Sequence, residues 1–236
     1  MNRNRAFFAR SFCSGNGIEI GALHHPLPLP ENAKARYVDR MTSAELRKHY
    51  PELADQPLVD VDIVDNGETL ATLPDGQEDF VIANQFIEHC QNPVRALVNM
   101  LRVVRNDGIV MLSVPDKRFT FDKDRPITSN DHILWECLNG TESTKRAHFA
   151  EFLGLDRHPE RKVELEMELE SMLAKDYSIH YHVWDSDAFI KFLLWTKERF
   201  GLPFELQATY RNGEESIQIL RKTYPVNAAS QVLKVI

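Results

Sequence analysis

Four short apolar segments of this 236-residue chain each lead into residues that could bind a ligand. Gly21 follows the first segment, and Asp39 ends the second, 18 residues further along the chain. An acid about 20 residues beyond such a glycine is typical of a carboxylate that accepts hydrogen bonds from both hydroxyls of a ribose. The corresponding groups after the third and fourth segments are Asp65-Asn66 and Asn84-Gln85. This ordered set predicts a nucleoside site.

The segment after Gly21 indicates a nucleoside without phosphates. A dinucleotide site needs the pattern G-x-G-x-x-G and a helix that starts at once, so that its N-terminus receives the pyrophosphate. Here Ala22-Leu23-His24-His25 follows, and Pro26, Pro28 and Pro30 prevent an early helix. An NAD(P)-dependent reductase is therefore the weaker alternative.

The elements that must position these groups alternate between strand and helix. Strands are predicted at residues 17–21, 36–39, 58–64, 78–84 and 109–114. Between them, Thr42-Ser43-Ala44-Glu45 is a capping box for a helix through about His49, and Asn92-Pro93 opens a longer helix that Asn106-Asp107-Gly108 ends. This alternation predicts a parallel sheet covered on both faces, so the strand-end groups meet at one edge.

Two further features complete the predicted α/β architecture. Residues 204–210 and 216–220 flank Asn212-Gly213, which predicts a C-terminal antiparallel hairpin. Residues 115–183 are rich in Asp, Arg, His and Glu and contain no clean strand, so we expect an insertion of helices and loops after the fifth strand, with 163–170 helical. Asp185 is expected to cap the last helix, and a short amphipathic helix is expected at the N-terminus. We predict a single domain over residues 1–236.

Composition narrows the function classes. The net charge of −7 disfavours a nucleic-acid-binding protein, which needs a basic face to displace counterions from phosphates. The three cysteines are far apart and form no CxxC motif, which favours a reducing, cytoplasmic location over a disulfide framework. No apolar run is long enough to span a bilayer.

The chain resembles class I S-adenosylmethionine-dependent methyltransferases over about residues 15–115. The resembling segments are Ile18-Glu19-Ile20-Gly21, Tyr37-Val38-Asp39, Asp65 with Glu68-Thr69-Leu70, Asp79 to Asn84, Glu88-His89, Leu101 to Val104, and Gly108-Ile109-Val110. Glu19 to His24 and Val114 to Phe119 are similar to a bacterial subgroup often associated with surface-polysaccharide biosynthesis. The resemblance implies a Rossmann-like three-layer sandwich with a mostly parallel seven-stranded sheet and S-adenosylmethionine as cofactor.

The resemblance also implies a role for each strand-end group. Gly21 and Ala22 would let the backbone approach the methionine part of the cofactor, although Gly21-Ala22-Leu23 stands where Gly-x-Gly is common. Asp39 would bind the ribose, Asp65 with Asn66 would meet the adenine, and Asn84-Gln85 would line the reactive end. We expect Glu88-His89 to brace the structure rather than to catalyse.

The insertion supplies the candidate acceptor site. Asp116 and Arg118 directly follow the fifth strand, so they are expected near the methyl group. The candidate acceptor ligands are Arg118, Arg125, His132 and His182, because such groups suit a polyhydroxylated or anionic acceptor. A cation held by Asp116, Asp122, His132 or Glu151 is conceivable, but these residues lack compact ligand spacing, so we expect no metal.

A hydroxyl acceptor must lose a proton, which a group titrating near neutrality removes best. Four histidines of the insertion qualify: His132, His148, His180 and His182. We favour His148 as the base, since Glu151 lies three residues on and could orient its ring, and Asp116 is the reserve candidate.

The sequence thus predicts methyl transfer from S-adenosylmethionine to a sugar or another small hydroxylated acceptor. A non-catalytic methyltransferase-like subunit that binds a partner protein is the main alternative, and the reductase is a third. No oligomeric state is predicted.

Overall fold

The computed structural model describes residues 2–224, so Met1 and residues 225–236 of the predicted single domain lie outside the described part. The strands are β1 (Gly15–Ile20), β2 (Ala33–Asp39), β3 (Ile63–Val64), β4 (Glu78–Asn84), β5 (Val104–Pro115), β6 (Phe204–Asn212) and β7 (Glu215–Lys222). The helices are α1 (Asn2–Phe12), α2 (Ser43–His49), α3 (Pro93–Val103), α4 (Asn130–Asn139), α5 (Glu142–Leu153), α6 (Lys162–Ala174) and α7 (Ser186–Phe200).

The seven strands form one sheet in the order β3-β2-β1-β4-β5-β7-β6. The first five strands are parallel, and β7 pairs antiparallel with both β5 and β6. This confirms the predicted mostly parallel seven-stranded sheet with a C-terminal hairpin. The strand order reverses between β1 and β4, which is where an open sheet of this kind binds its ligand.

Helices cover both faces of the sheet. On one face, Leu97 of α3 and Phe189 of α7 pack in the same core as the β-strand residues Ile18, Val81 and Val110. On the other face, Ala9 of α1 packs with a second core that contains Phe80, Ile82 and Met111. Because β4 and β5 are buried on both faces, they read as continuous apolar runs rather than as alternating ones. Within residues 2–224, no helix has the length and apolarity needed to cross a membrane.

The boundary between α3 and β5 differs from the prediction. Asn92 caps α3 as expected, since its side-chain Oδ1 accepts a 2.9 Å hydrogen bond from the Arg95 amide. The helix then ends at Val103, before the Asn106-Asp107-Gly108 segment that was expected to end it. Val104 instead begins β5 and pairs with Glu78 of β4. Its β-branched side chain suits a strand, and its carbonyl accepts a hydrogen bond from Lys222 Nζ at 2.6 Å.

The third strand is also shorter than predicted, since only Ile63–Val64 of the expected 58–64 pairs in the sheet. The preceding residues bond to other partners. The Val59 amide donates to the Leu23 carbonyl at 2.9 Å, and its own carbonyl accepts from Ser43 Oγ at 3.0 Å. Their alternating pattern therefore reflects packing against a loop and α2, not sheet pairing.

The insertion after β5 is helical, as predicted, and 163–170 lies within α6. Its helices enclose a small core of their own, formed by Phe149, Leu169, Ile179 and Tyr181. The extended segment after α6 then returns to the main sheet, where the Tyr181 amide donates to the Glu88 carbonyl at 2.8 Å. This return carries the insertion to the carboxyl ends of β1 and β4.

Candidate active site

A cavity of about 430 Å³ lies at the carboxyl ends of β1, β2 and β4. Its volume falls within the usual range of small-molecule sites. Four of the seven predicted cofactor residues line it: Gly21, Asp39, Asn66 and Gln85. The sheet therefore brings together groups that are up to 64 positions apart in the sequence.

Asp39 is the only acid of the predicted cofactor set that lines this cavity. Its Oδ1 accepts a 2.7 Å hydrogen bond from the Arg40 amide, which fixes the carboxylate at the end of β2. Burial raises the pKa of this carboxyl, because a low-dielectric environment disfavours the charged form. Hydrogen bonds from a bound diol would offset that cost, so the site fits the ribose of a nucleoside.

The loop after β1 has an unusual backbone. Gly21 adopts φ +66°, and Leu23 adopts φ +50°. Leu23 stands where the second glycine of Gly-x-Gly is common, and it takes the left-handed conformation that glycine would favour. The side chain of Ala22 lies outside the lining of the 430 Å³ cavity, against Val38 and Leu46 in a smaller void.

Glu19, which the sequence did not single out as functional, holds this loop in place. It is buried at the end of β1, and its Oε2 accepts a 3.0 Å hydrogen bond from the Leu27 amide. Burial raises the pKa of this carboxyl to about 7, against the opposing effect of that hydrogen bond. The alternation in Ile18-Glu19-Ile20 gave only a weak signal, because an acid between two isoleucines is also typical of an exposed strand face.

Asp65 is placed differently from the prediction, because it does not line the cavity. Its Oδ2 accepts hydrogen bonds from Thr72 Oγ1 at 2.7 Å and from the Thr72 amide at 2.8 Å. Its Oδ1 accepts from the Asn66 amide at 2.7 Å. Although partial burial opposes the effect, these hydrogen bonds hold the pKa of Asp65 below its usual range. This geometry gives Asp65 the role of a loop cap, while Asn66 reaches the cavity.

Of the adjacent residues Asn84 and Gln85, only Gln85 lines the cavity. Gln85 lines the cavity with φ +51°, a strained conformation for a non-glycine residue. Its Nε2 donates to Glu215 Oε2 at 2.9 Å, which fixes the side chain. Asn84 instead turns away from the cavity lining and contributes a hydrogen bond to Glu19.

The insertion forms the opposite wall of the cavity, through residues that sequence reasoning missed. These are Asp176, Tyr177, Ser178 and Tyr181. Arg40 joins this wall to the sheet, because its Nη2 donates to Tyr50 Oη at 2.7 Å and its Nη1 lies 3.2 Å from Asp176 Oδ2. No motif in the sequence marks these residues, since their position depends on how the insertion folds back.

Glu88, His89 and His180 form a cluster in which one side-chain nitrogen or oxygen atom of each lies within 4.8 Å of the others, and of the three only His89 lines the cavity. His89 lines the cavity, and its Nδ1 donates to the Ile179 carbonyl at 3.0 Å. Burial lowers the pKa of His89 to about 3, so its ring is neutral. Glu88 is fully buried, neither carboxylate oxygen has a hydrogen-bond partner within residues 2–224, and burial raises its pKa to about 7.

His180 is held by an acid of the insertion. Its Nδ1 lies 2.7 Å from Asp122 Oδ2, and its ring meets that of His89 edge-on, with centroids 4.6 Å apart. Donation from Nδ1 to Asp122 leaves Nε2 as the proton acceptor of the ring. A histidine oriented by a carboxylate can remove a proton from a hydroxyl group.

The two residues predicted after β5 are bonded to each other and away from the cavity lining. The Asp116 carboxylate accepts from Arg118 Nε at 2.8 Å and from Ser186 Oγ at 2.6 Å. Although burial opposes the effect, these donors hold the pKa of Asp116 well below its usual range. The reserve assignment of Asp116 as the base is therefore corrected, because a fully bonded carboxylate is a poor proton acceptor.

The preferred pairing of His148 with Glu151 is wrong. His148 Nε2 contacts Glu136 Oε1 at 2.7 Å, whereas Glu151 Oε2 accepts from Arg125 Nε at 2.9 Å. His148 therefore pairs with a carboxylate of the neighbouring helix α4, and Glu151 pairs with Arg125 instead. His148 lies outside the cavity lining, and its Nε2 contacts both Glu136 Oε1 and His132 Nε2.

The remaining candidate acceptor ligands make internal contacts. Arg125 is buried and donates to Asp122 Oδ1 at 2.6 Å as well as to Glu151. His182 is buried with Nε2 3.2 Å from the Gln91 carbonyl, and His132 Nε2 lies 3.2 Å from His148 Nε2. None of these side chains, nor Arg118, lines the cavity. Their polar sequence context indicated acceptor binding, but folding uses them within the insertion.

Comparison with known proteins identifies the part of the chain that forms this site. Residues 17–112, which contain β1 to β4 and most of β5, match the model of a methyltransferase domain. Over these residues the chain is similar to a methyltransferase domain. The match supports the class I methyltransferase family and S-adenosylmethionine as the cofactor. No curated protein sequence matches the chain.

Solved structures resemble this chain in fold at low sequence identity. A Rhodobacter sphaeroides protein named as a candidate zinc-dependent alcohol dehydrogenase is 18% identical, with TM-score 0.53 over 95% of this chain and 91% of its own. The complex of the Haloferax volcanii Trm112 methyltransferase activator with a candidate methyltransferase gives 8% identity and TM-score 0.50 over 94% and 89%. The CurJ carbon methyltransferase gives 12% identity and TM-score 0.47 over 90% of this chain, which spans about half of that structure (49%).

The residues around the cavity fit S-adenosylmethionine. The ligand carries a ribose diol, for which Asp39 offers an acceptor, and no phosphate, in agreement with a loop after β1 that lacks a glycine-rich phosphate cradle. At Gly21, an added Cβ would come no nearer than 3.9 Å to Phe86, so the space above this backbone is open. The cavity therefore has room for a ligand close to the backbone of this loop.

Proposed function

We propose that this methyltransferase chain methylates a hydroxyl oxygen of a sugar or another small hydroxylated acceptor. The observation that carries the proposal is the position of Asp39 beside Gly21 and Gln85 in one cavity, which the polar wall of the insertion faces. Bound S-adenosylmethionine supplies an electrophilic methyl group. The residues of the chain have to align the acceptor with it and remove one proton.

Gly21, Asp39, Asn66 and Gln85 are the proposed cofactor-binding residues. Asp39 accepts the hydrogen bonds of the ribose hydroxyls, and the open backbone at Gly21 receives the amino-acid part. Gln85, fixed by Glu215, lines the end of the cavity towards β4. Ala22, Asp65 and Asn84 support these residues from behind rather than contact the ligand.

The proposed base is His180, which lies outside the cavity lining and whose ring contacts that of the lining residue His89. Asp122 orients its ring through Nδ1, so Nε2 can accept the proton of the acceptor hydroxyl. His89, which is neutral and lines the cavity, positions the ring of His180 from the side. As the methyl is transferred, the proton of the acceptor hydroxyl passes to His180 Nε2, and Asp122 pairs with the imidazolium that forms.

The nature of the acceptor follows from the wall that faces the sheet. Asp176, Tyr177 and Ser178 offer hydrogen-bond donors and acceptors around an aromatic surface, as polyhydroxylated ligands require. The resemblance of the segments after β1 and β5 to a bacterial polysaccharide-associated subgroup supports a sugar. A cytoplasmic location is part of the proposal, and the free state of Cys13, Cys90 and Cys137 supports it.

Ligand-dependent melting tests the cofactor, and product analysis tests the acceptor. S-adenosylhomocysteine should raise the melting temperature, since a ligand that binds only the folded chain stabilises it, whereas NAD and NADP should not. Incubation with S-adenosylmethionine and a panel of nucleotide sugars and free glycosides, followed by mass spectrometry, should give a methyl ether. A rise with NADP alone would contradict the methyltransferase function. Methylation only of amine or carbon acceptors would contradict the hydroxyl acceptor.

A further inference from the structure

Three side chains with metal-binding atoms converge between α4 and α5, outside the cofactor cavity. His132 and Glu136 lie one turn apart on α4, and His148 lies on α5. His132 Nε2 and His148 Nε2 are 3.2 Å apart. Glu136 Oε1 lies 2.7 Å from His148 Nε2 and 3.3 Å from His132 Nε2. These atoms form a triangle around one point.

The dimensions of this triangle are those of a tetrahedral metal site. Zinc binds histidine nitrogen at about 2.0–2.1 Å and carboxylate oxygen at about 2.0–2.2 Å, so two ligands of a tetrahedral ion lie about 3.3 Å apart. The distances from His132 Nε2 to His148 Nε2 (3.2 Å) and to Glu136 Oε1 (3.3 Å) agree with this value. The distance from His148 Nε2 to Glu136 Oε1 (2.7 Å) is shorter. A shift of a few tenths of an ångström at His148 would complete the geometry.

The carboxylate of Glu136 carries an independent sign of a missing partner. Its side chain is 1% exposed, and its Oε2 has no hydrogen-bond partner within residues 2–224. His182 Nε2 lies 3.8 Å from this oxygen, beyond hydrogen-bond distance, and burial lowers the pKa of His182 to about 3, so its ring brings no compensating charge. A buried carboxylate with an unmatched oxygen is costly, and a cation bound to Oε1 of the same carboxylate offsets part of that cost by balancing its charge.

The site is also accessible. The side chain of His132 is 38% exposed, so an ion can enter from solvent past this ring. Thr144 Oγ1 donates to Glu136 Oε1 and holds the carboxylate in position, as an outer partner of a metal ligand does. Both helices therefore present the ligands with little rearrangement.

We propose that His132, Glu136 and His148 bind one zinc-class divalent ion, with water in the fourth position. Two imidazoles and one carboxylate suit zinc better than magnesium or calcium, which prefer sets made of oxygen atoms. The ion joins α4 to α5 and so stabilises the insertion that forms one wall of the cofactor cavity. No short motif predicts the site, because Glu136 and His148 are 12 residues apart on different helices.

Titration of the full chain with zinc tests this site. Chelator-treated protein in a calorimeter should bind one equivalent of Zn²⁺, and Zn²⁺ should raise the melting temperature. His148→Ala, Glu136→Gln and His132→Ala should each weaken binding by roughly tenfold or more. His158→Ala is the matched control, because His158 is an exposed histidine paired only with Glu160, and it should bind as the wild type does. Because the His132 side chain is 38% exposed, its variant should fold even if the Glu136 and His148 variants do not.

Two results would overturn the proposal. One is the absence of zinc binding, or binding that all three ligand variants retain. The other is binding that His180→Ala abolishes, which would place the ion at the second cluster of close ligand atoms, Glu88, His89 and His180. Replacement of zinc by Co²⁺ adds a spectroscopic check, since the proposed ligands predict no thiolate-to-metal charge-transfer band. Such a band would assign the ion to a cysteine instead.

Discussion

Asp122 Oδ2 and His180 Nδ1 are joined by a 2.7 Å contact, although 58 residues separate them in the sequence. Both side chains are largely buried, and Arg125 Nη1 contacts the other oxygen of Asp122 at 2.6 Å. Asp122 therefore has a fixed orientation and presents one oxygen to His180. This arrangement gives His180, which contacts the cavity residue His89, a defined tautomer.

His180→Gln should lower the turnover of methyl transfer by about a hundredfold, because the substitution removes the proton acceptor while keeping a similar shape. Binding of S-adenosylhomocysteine should be unchanged in the same variant. Steady-state kinetics and calorimetry measure the two effects separately. His158→Gln is the control on an exposed histidine and should have normal turnover. A His180→Gln enzyme with normal turnover would show that the base lies elsewhere.

Asp39→Ala should weaken S-adenosylhomocysteine binding by roughly ten- to a hundredfold, which corresponds to the loss of hydrogen bonds to a charged acceptor. Asp65→Ala should change this affinity much less. Its main effect should be on stability, since Thr72 and the Asn66 amide lose their acceptor, at a cost of about 1–2 kcal/mol in the free energy of unfolding. Equal losses of affinity in the two variants would restore Asp65 as an adenine ligand.

Glu88 should make the stability of the chain depend on pH. Burial raises its pKa from 4.5 to about 7, against the smaller opposing effect of His180. Between these two values the folded chain holds a proton that the unfolded chain releases, so the stability that Glu88 contributes falls as the pH rises.

Glu88→Gln removes this titration. The free energy of unfolding of the variant, relative to wild type, should therefore increase by up to about 1.4 kcal/mol per pH unit from pH 4.5 to about 7 and then level off. Urea denaturation at several pH values measures the difference. Glu142→Gln, on the exposed start of α5, is the control and should stay within about 0.5 kcal/mol of wild type throughout. A flat difference for Glu88→Gln would contradict the raised pKa.

Arg5 should anchor the N-terminal helix through a buried ion pair. Its Nε donates to Glu215 Oε1 at 2.8 Å, and both residues are buried. Arg5→Met would leave the Glu215 charge without its cation and should lower the free energy of unfolding by about 3–5 kcal/mol.

The double variant Arg5→Met with Glu215→Gln should recover part of that loss, because the uncompensated charge is gone. Chemical denaturation of the four proteins of this cycle gives the coupling energy. Gln85, which lines the cavity, also donates a hydrogen bond to Glu215. Cofactor affinity should therefore weaken both in Arg5→Met and in the double variant. Additive effects of the two substitutions would show that the pair is not coupled.

The sequence by itself determined the architecture of the sheet and the edge at which the cavity lies. Alternating apolar segments and helix caps are local signals, and β4, the capping box of α2 and the hairpin at Gly213 lie where those signals predict them. Asp39 and Gly21 were found for the same reason, since each is fixed by its place at a strand end. Local signals were less reliable where partners are distant, as at Val104, whose pairing with Glu78 outweighed helical spacing.

Only the tertiary structure decided which polar side chains of the insertion line the cavity. The sequence spacing predicted that Glu151 lies beside His148. Folding instead brings Arg125 next to Glu151 and Glu136 next to His148, and the ion pairs form between these groups. The same competition removed Asp65 and Asp116 from the ligand set, since neighbouring donors bond their carboxylates. Asp176 to Ser178 entered the cavity wall only because the chain folds back after α6. A residue's chemistry is local, whereas its availability depends on every long-range contact around it.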